Sequence, residues 1–69
     1  MTTQQVIVTA RKHVANGAAM ESSARLCLAD AVRLADDGDL QYARARAIDS
    51  LRYSIGILHP DFDRASASK

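Results

Sequence analysis

Two stretches with apolar residues at helical spacing are separated by almost nothing, only the turn Asp36-Asp37-Gly38-Asp39. In the stretch before it, Met20, Ala24, Cys27, Leu28, Ala31, Val32, Leu34 and Ala35 share one face at ~100° per residue. Arg25, Asp30, Arg33, Asp36 and Asp37 lie opposite. Gly38 follows the last apolar position, where a left-handed residue ends a helix, and Asp39 suits the N-cap of the next one. So short a connection forces the two neighbours to lie antiparallel. The sequence therefore predicts an antiparallel helical hairpin over about 20–37 and 39–58.

In the second arm Leu40, Ala43, Ala47, Ile48, Leu51, Ser54, Ile55 and Leu58 form the main stripe. His59-Pro60 is expected to end it, because the residue before proline disfavours the α region. Pro60 then suits the start of one further turn through Asp61 and Phe62. Ala24, Ala31 and Ala35 are expected to face Ala43 and Ala47, letting the arms approach closely. The first segment reads two ways. Val6, Ile7, Ala10, His13 and Val14 group on a helical face that stops at Asn16-Gly17. Gln5 to Thr9, however, is rich in β-branched residues that suit a strand. Helix is favoured, since a lone strand has no partner within the chain. The expected fold is all-α: the hairpin plus a short N-terminal helix, as one small domain over 1–63. Residues 64–69 are small and polar and are expected to form a flexible tail.

The interior this pattern offers is thin. Of 33 apolar residues among 69, 13 are alanine and only 17 are Val, Ile, Leu, Met or Phe. Chains of this size often gain stability by associating. The second arm also carries a second apolar face, with Tyr42, Arg46, Asp49, Tyr53 and Ile57 opposite the main stripe. A helix apolar on two faces buries both or exposes one. The first helix is expected to cover part of that face and a second chain the rest. A homodimer with a four-helix core follows as the expectation.

The same five residues, Tyr42, Arg46, Asp49, Tyr53 and Ile57, are the candidate partner-binding site. Tyrosine and arginine concentrate binding energy at interfaces; the bland alternative is that both rings pack inside. Arg44, Arg46 and Arg52 give 40–60 a net charge of +2 against −3 for 17–39, while the whole chain is only +1. That is too sparse for a strong nucleic-acid footprint. His13, Cys27 and His59 are the soft metal ligands, one per segment and without metal-site spacing. His13 and Cys27 fall on apolar faces and read as packed side chains; His59 to Asp63 reads as a helix stop with capping carboxylates. No metal and no cofactor is expected. The three glycines are too scattered for a phosphate loop, and Ser22-Ser23 reads as helix-start chemistry, so no enzyme activity is expected.

Gly38-Asp39-Leu40 with Ala43 and Ala47 resembles the turn and second helix of a tetratricopeptide repeat over about half the chain. The first arm lacks that family's large aromatic, Pro60 comes about one turn late, and there is no second repeat. Val6-Ile7-Val8 followed by two helices is similar in outline to ribbon–helix–helix repressors, but Thr9 to Gly17 is too short for their first helix. Neither amounts to membership.

No apolar run approaches the ~20 residues of a membrane span. Met1-Thr2-Thr3-Gln4-Gln5 has no signal-peptide character, and one cysteine suits a reducing cytoplasm. By elimination, the expected function is non-catalytic: a small regulator, adaptor or inhibitor that binds a larger protein. The alternative is a small dimeric nucleic-acid-binding transcriptional regulator.

Overall fold

The computed structural model describes residues 1–67. It has four helices: α1 (Thr3–Ala15), α2 (Glu21–Asp36), α3 (Leu40–Ile55) and α4 (Pro60–Ala67). None of them is long and apolar enough to cross a membrane.

The hairpin turn forms as its residues dictate. Gly38 sits at φ +82°. Its N–H bonds Ala35 O at 3.0 Å, and the Asp39 N–H bonds Leu34 O at 2.9 Å. That pair of bonds is a Schellman motif, which occupies two carbonyls that would otherwise end the helix unpaired. Asp39 takes the N-cap position of α3, but its side chain makes no capping bond; only the placement of Asp39 follows the expectation. Ser22 and Ser23 likewise do not cap α2, whose N-cap position is Met20 with no side-chain bond.

The β-branched N-terminal run is helical. Thr2 and Gln5 form a capping box, with Gln5 N–H on Thr2 Oγ1 at 3.1 Å and Thr2 N–H on Gln5 Oε1 at 2.8 Å. This reciprocal pair satisfies two backbone donors and starts the helix before the valines are reached. Val6, Ile7, Ala10 and Val14 then fall on one buried side. Of these, Val6, Ile7 and Ala10 meet Ala31, Ala47, Leu51 and Ala65 in the core, with Leu28, Val32, Ala35, Ile48 and Ile55 packed around it.

Small residues line the α2/α3 seam. Ala24, Ala31, Ala43 and Ala47 are fully buried, whereas Ala35 lies at the edge. Ser50, also fully buried, donates from Oγ to the Ala24 carbonyl on α2 at 2.8 Å. Ser54 Oγ bonds Ser50 O at 2.7 Å. A polar group so deep is tolerated only when paired, and every buried side-chain N and O among the described residues has a partner.

Two expectations fail at the far end of α3. The helix stops at Ile55, not Leu58, because Gly56 adopts φ +78° as its C-cap. Leu58 is therefore no part of the stripe and is 92% exposed. The carbonyls of Tyr53 and Ser54 are taken by the N–H groups of Met20 and Ala19 from the α1/α2 connection. Beyond Pro60 the chain makes a whole helix, not a single turn. Residues 64–67, expected as tail, continue α4; residues 68–69 lie outside the described residues. Ala65 is the physical reason: it is fully buried in the core, and Arg44 Nη2 donates to its carbonyl at 3.3 Å.

α1 and α4 both rest on α3, and α1 also touches α2. Truncation separates the true core from the failed stripe. Leu51→Ala is expected to lower unfolding free energy by about 2–5 kcal/mol in urea denaturation. Leu58→Ala is expected to stay within about 0.5 kcal/mol. Equal losses would mean that the apolar stripe runs on past Gly56.

Candidate functional site

Four of the five expected site residues share α3. At ~100° per residue, Tyr42, Arg46, Asp49 and Tyr53 lie within a narrow arc. Ile48 and Ile55, which pack against the core, lie on the other side of the helix. On the tyrosine side Tyr42 is 67% exposed and Tyr53 half-buried. Ile57 falls outside the helix, because Gly56 breaks the i, i+4 series; it stands in the connection to α4, 60% exposed.

α2 contributes a residue that spacing within α3 did not reveal. Asp30 Oδ2 lies 3.4 Å from Arg46 Nε, and Asp49 Oδ2 lies 3.2 Å from Arg46 Nη1. The guanidinium is thus held between two carboxylates, one from each arm. Tyr42 and Tyr53 flank this triad, ~16 Å apart along the helix axis at 1.5 Å per residue. The Arg52 guanidinium sits 5.3 Å from the Tyr53 ring centre. Cys27 is buried near the triad. Burial pushes its thiol above the ordinary value; Asp49 and Asp30 reinforce this, and Arg46 and Arg52 oppose it. At neutral pH that favours the protonated thiol, which suits a packed group.

A second cluster joins two histidines that the sequence places in different segments. His13 in the last turn of α1 reaches Asp61 in the first turn of α4, with Nε2 2.8 Å from Oδ2. The other oxygen of Asp61 meets Arg64. The His13 and His59 rings pack edge to face at 5.2 Å. His59 Nδ1 accepts the Asp61 N–H at 3.0 Å, so that it caps α4. The hydrogen bond from His13, then that from Arg64, hold the Asp61 carboxyl down at about 2, against the upward push of burial. His13, expected as a packed side chain on an apolar face, is instead half-buried and bonded to Asp61, and the capping group at 59–63 is the His59 ring. The His13–Asp61 pair is separated by 48 residues of chain, so no spacing rule reaches it.

Open grooves line the surface. One, about 390 Å³, runs between α1 and α2 along Val14 and Leu28, with Arg11 and Arg25 at its rim. No family model, no curated protein and no solved structure matches the chain.

The Asp61 contacts make a signed prediction. A carboxyl whose value drops on folding, from 3.8 to about 2, stabilises the fold above the first and loses that effect as pH falls through the second. In metal-free buffer, Asp61→Asn is expected to be less stable than wild type at neutral pH. Its urea midpoint is also expected to change less between those two pH values. Parallel acid limbs for the two proteins would remove Asp61 as a stabilising group.

Proposed function

We propose that this chain is a small non-catalytic regulator that binds and modulates a larger protein, acting in the cytoplasm. The docking face is the side of the α2/α3 hairpin that bears Tyr42, Arg46, Asp49 and Tyr53, with Ile57 at its edge. One observation carries the reading: Tyr42 stands 67% exposed on α3, one turn from Arg46. Leu26, at 70% exposed, adds apolar surface from α2. A rigid aromatic ring beside a pre-positioned arginine is the composition of an interface anchor. The Asp30–Arg46–Asp49 triad supplies specificity, since its charges are already oriented before a partner arrives.

A second copy competes for the same face. Two hairpins laid face to face make a four-helix core, and the free protein is a homodimer until the larger partner displaces one chain. The surfaces on offer support a non-catalytic role, because the grooves are open and the one buried thiol is protonated. The nucleic-acid alternative leans on the arginines of α3. Of these, Arg46 is engaged by two carboxylates and Arg44 by the Ala65 carbonyl, which favours the protein reading.

Sedimentation at micromolar concentration is expected to show a two-chain species. Tyr42→Ala is expected to weaken self-association by at least about thirtyfold, the ~2 kcal/mol of an interface anchor, with unchanged helical circular dichroism. A wild-type species at 7.5 kDa would remove the dimer. For the partner, a photo-crosslinking side chain at position 42 is expected to yield one dominant adduct in native extract. Tyr53→Ala should abolish that adduct, and the same probe at position 12 should not give it. Equal adducts from both positions would remove the docking face.

A further inference from the structure

Two imidazoles and a carboxylate converge from three elements at one corner of the molecule. His13 comes from the last turn of α1, His59 from the α3/α4 connection and Asp61 from the first turn of α4. Their ligand atoms all lie within 4.8 Å of one another, and each residue is half-buried. Nitrogen from two histidines plus one carboxylate oxygen is a donor set for zinc-class ions, with bonds of about 2.0–2.2 Å. Around a tetrahedral ion such bonds place the ligand atoms ~3.4 Å apart. The His13 Nε2 and Asp61 Oδ2 pair is already closer, at 2.8 Å. Here the His13 Nε2–H donates to the Asp61 carboxylate, and a cation would take the place of that proton.

We propose that His13, His59 and Asp61 form a binding site for a divalent transition-metal ion of the zinc class, with water completing the coordination. His13 binds through Nε2 and Asp61 through Oδ2. His59 binds through Nδ1, whose lone pair at present accepts the Asp61 N–H. That N–H belongs to the first turn of α4, where a backbone donor has no intrahelical partner to lose. Arg64 holds the remaining carboxylate oxygen and so fixes the orientation of the ligand from outside the coordination shell. The C-terminal end of α1 presents the site with the end of its dipole that favours a cation, and the N-terminal end of α4 opposes it. Its positive neighbour Arg64 lowers affinity, so the ion is exchangeable.

The consequence is structural. An ion held this way ties α1 to α4 and fixes α4 on the body of the molecule. Binding to the folded chain alone raises stability. A plain His13–Asp61 hydrogen bond would hold the same corner without any ion, and the two readings separate on one titration.

Untagged, metal-stripped protein is titrated with Zn²⁺ by calorimetry and thermal melting, and with Co²⁺ by visible absorption. The expected results are one ion per chain, a rise in Tm at equimolar Zn²⁺, and the intense Co²⁺ bands of a four-coordinate site. The ring-proton NMR signals of both histidines in the wild type should shift with the same saturation curve. His59→Gln and His13→Ala should each lower affinity by at least the ~10-fold that follows loss of an outer-shell partner. Cys27→Ser should keep the full response. The Tm shift is read within each variant, so a destabilised variant still reports. No Tm rise in wild type, equal binding by His59→Gln, or loss of binding on Cys27→Ser would each overturn the site.

Discussion

The close seam between α2 and α3 is the constraint from which the rest of this fold follows. Alanines meet across it, and the Ser50 hydroxyl bonds the Ala24 carbonyl of the opposite helix. Backbones can come this near only where side chains are small. The cost is volume: a seam of alanine and serine removes little apolar surface from water per residue. The larger buried groups therefore have to come from elsewhere. Val6 and Ile7 of α1 supply them, closing over Leu51 on α3. The hairpin sets the geometry, and α1 supplies much of the apolar content.

Ends matter as much as faces in so small a chain. The last carbonyls of α3 would be left unpaired at Gly56. Instead they are met by N–H groups of Ala19 and Met20, which come from the loop that starts α2. One set of bonds thus ends α3 and fixes the path of the preceding connection. The α4 helix is held differently. Ala65 provides its buried apolar anchor, and the His13–Asp61 and Arg44–Ala65 bonds hold it by polar contact. An element with few apolar contacts opens at lower free energy than the core. A metal ion at His13, His59 and Asp61 would act on this element.

The two candidate sites divide the surface. The hairpin face offers aromatic rings around an arginine held by two carboxylates, which suits a protein surface. The α1/α4 corner offers lone pairs, which suit an ion. Neither needs the other. Part of the basic character of α3 is answered within the chain, as the Arg46–Asp30 pair shows.

What the sequence determined by itself was local. The all-α class, the hairpin and the Gly38 stop follow from periodicity and from one residue that tolerates positive φ. The start of α1 was equally local, in Thr2 and Gln5, although the helix was favoured there for want of a strand partner and not from that capping box. Gly56 was passed over because Pro60 offered a stronger breaker nearby, so α3 was read one turn too long and Ile57 was placed on a helix it does not join. Four of the five site residues kept their shared face, since that too is helical arithmetic. Tertiary structure alone decided that Tyr42 stays outside, that Asp30 joins Arg46, and that His13 meets His59 and Asp61. The reason is physical: these outcomes depend on how helices pack through small residues. Residues distant in sequence become neighbours only once that packing exists.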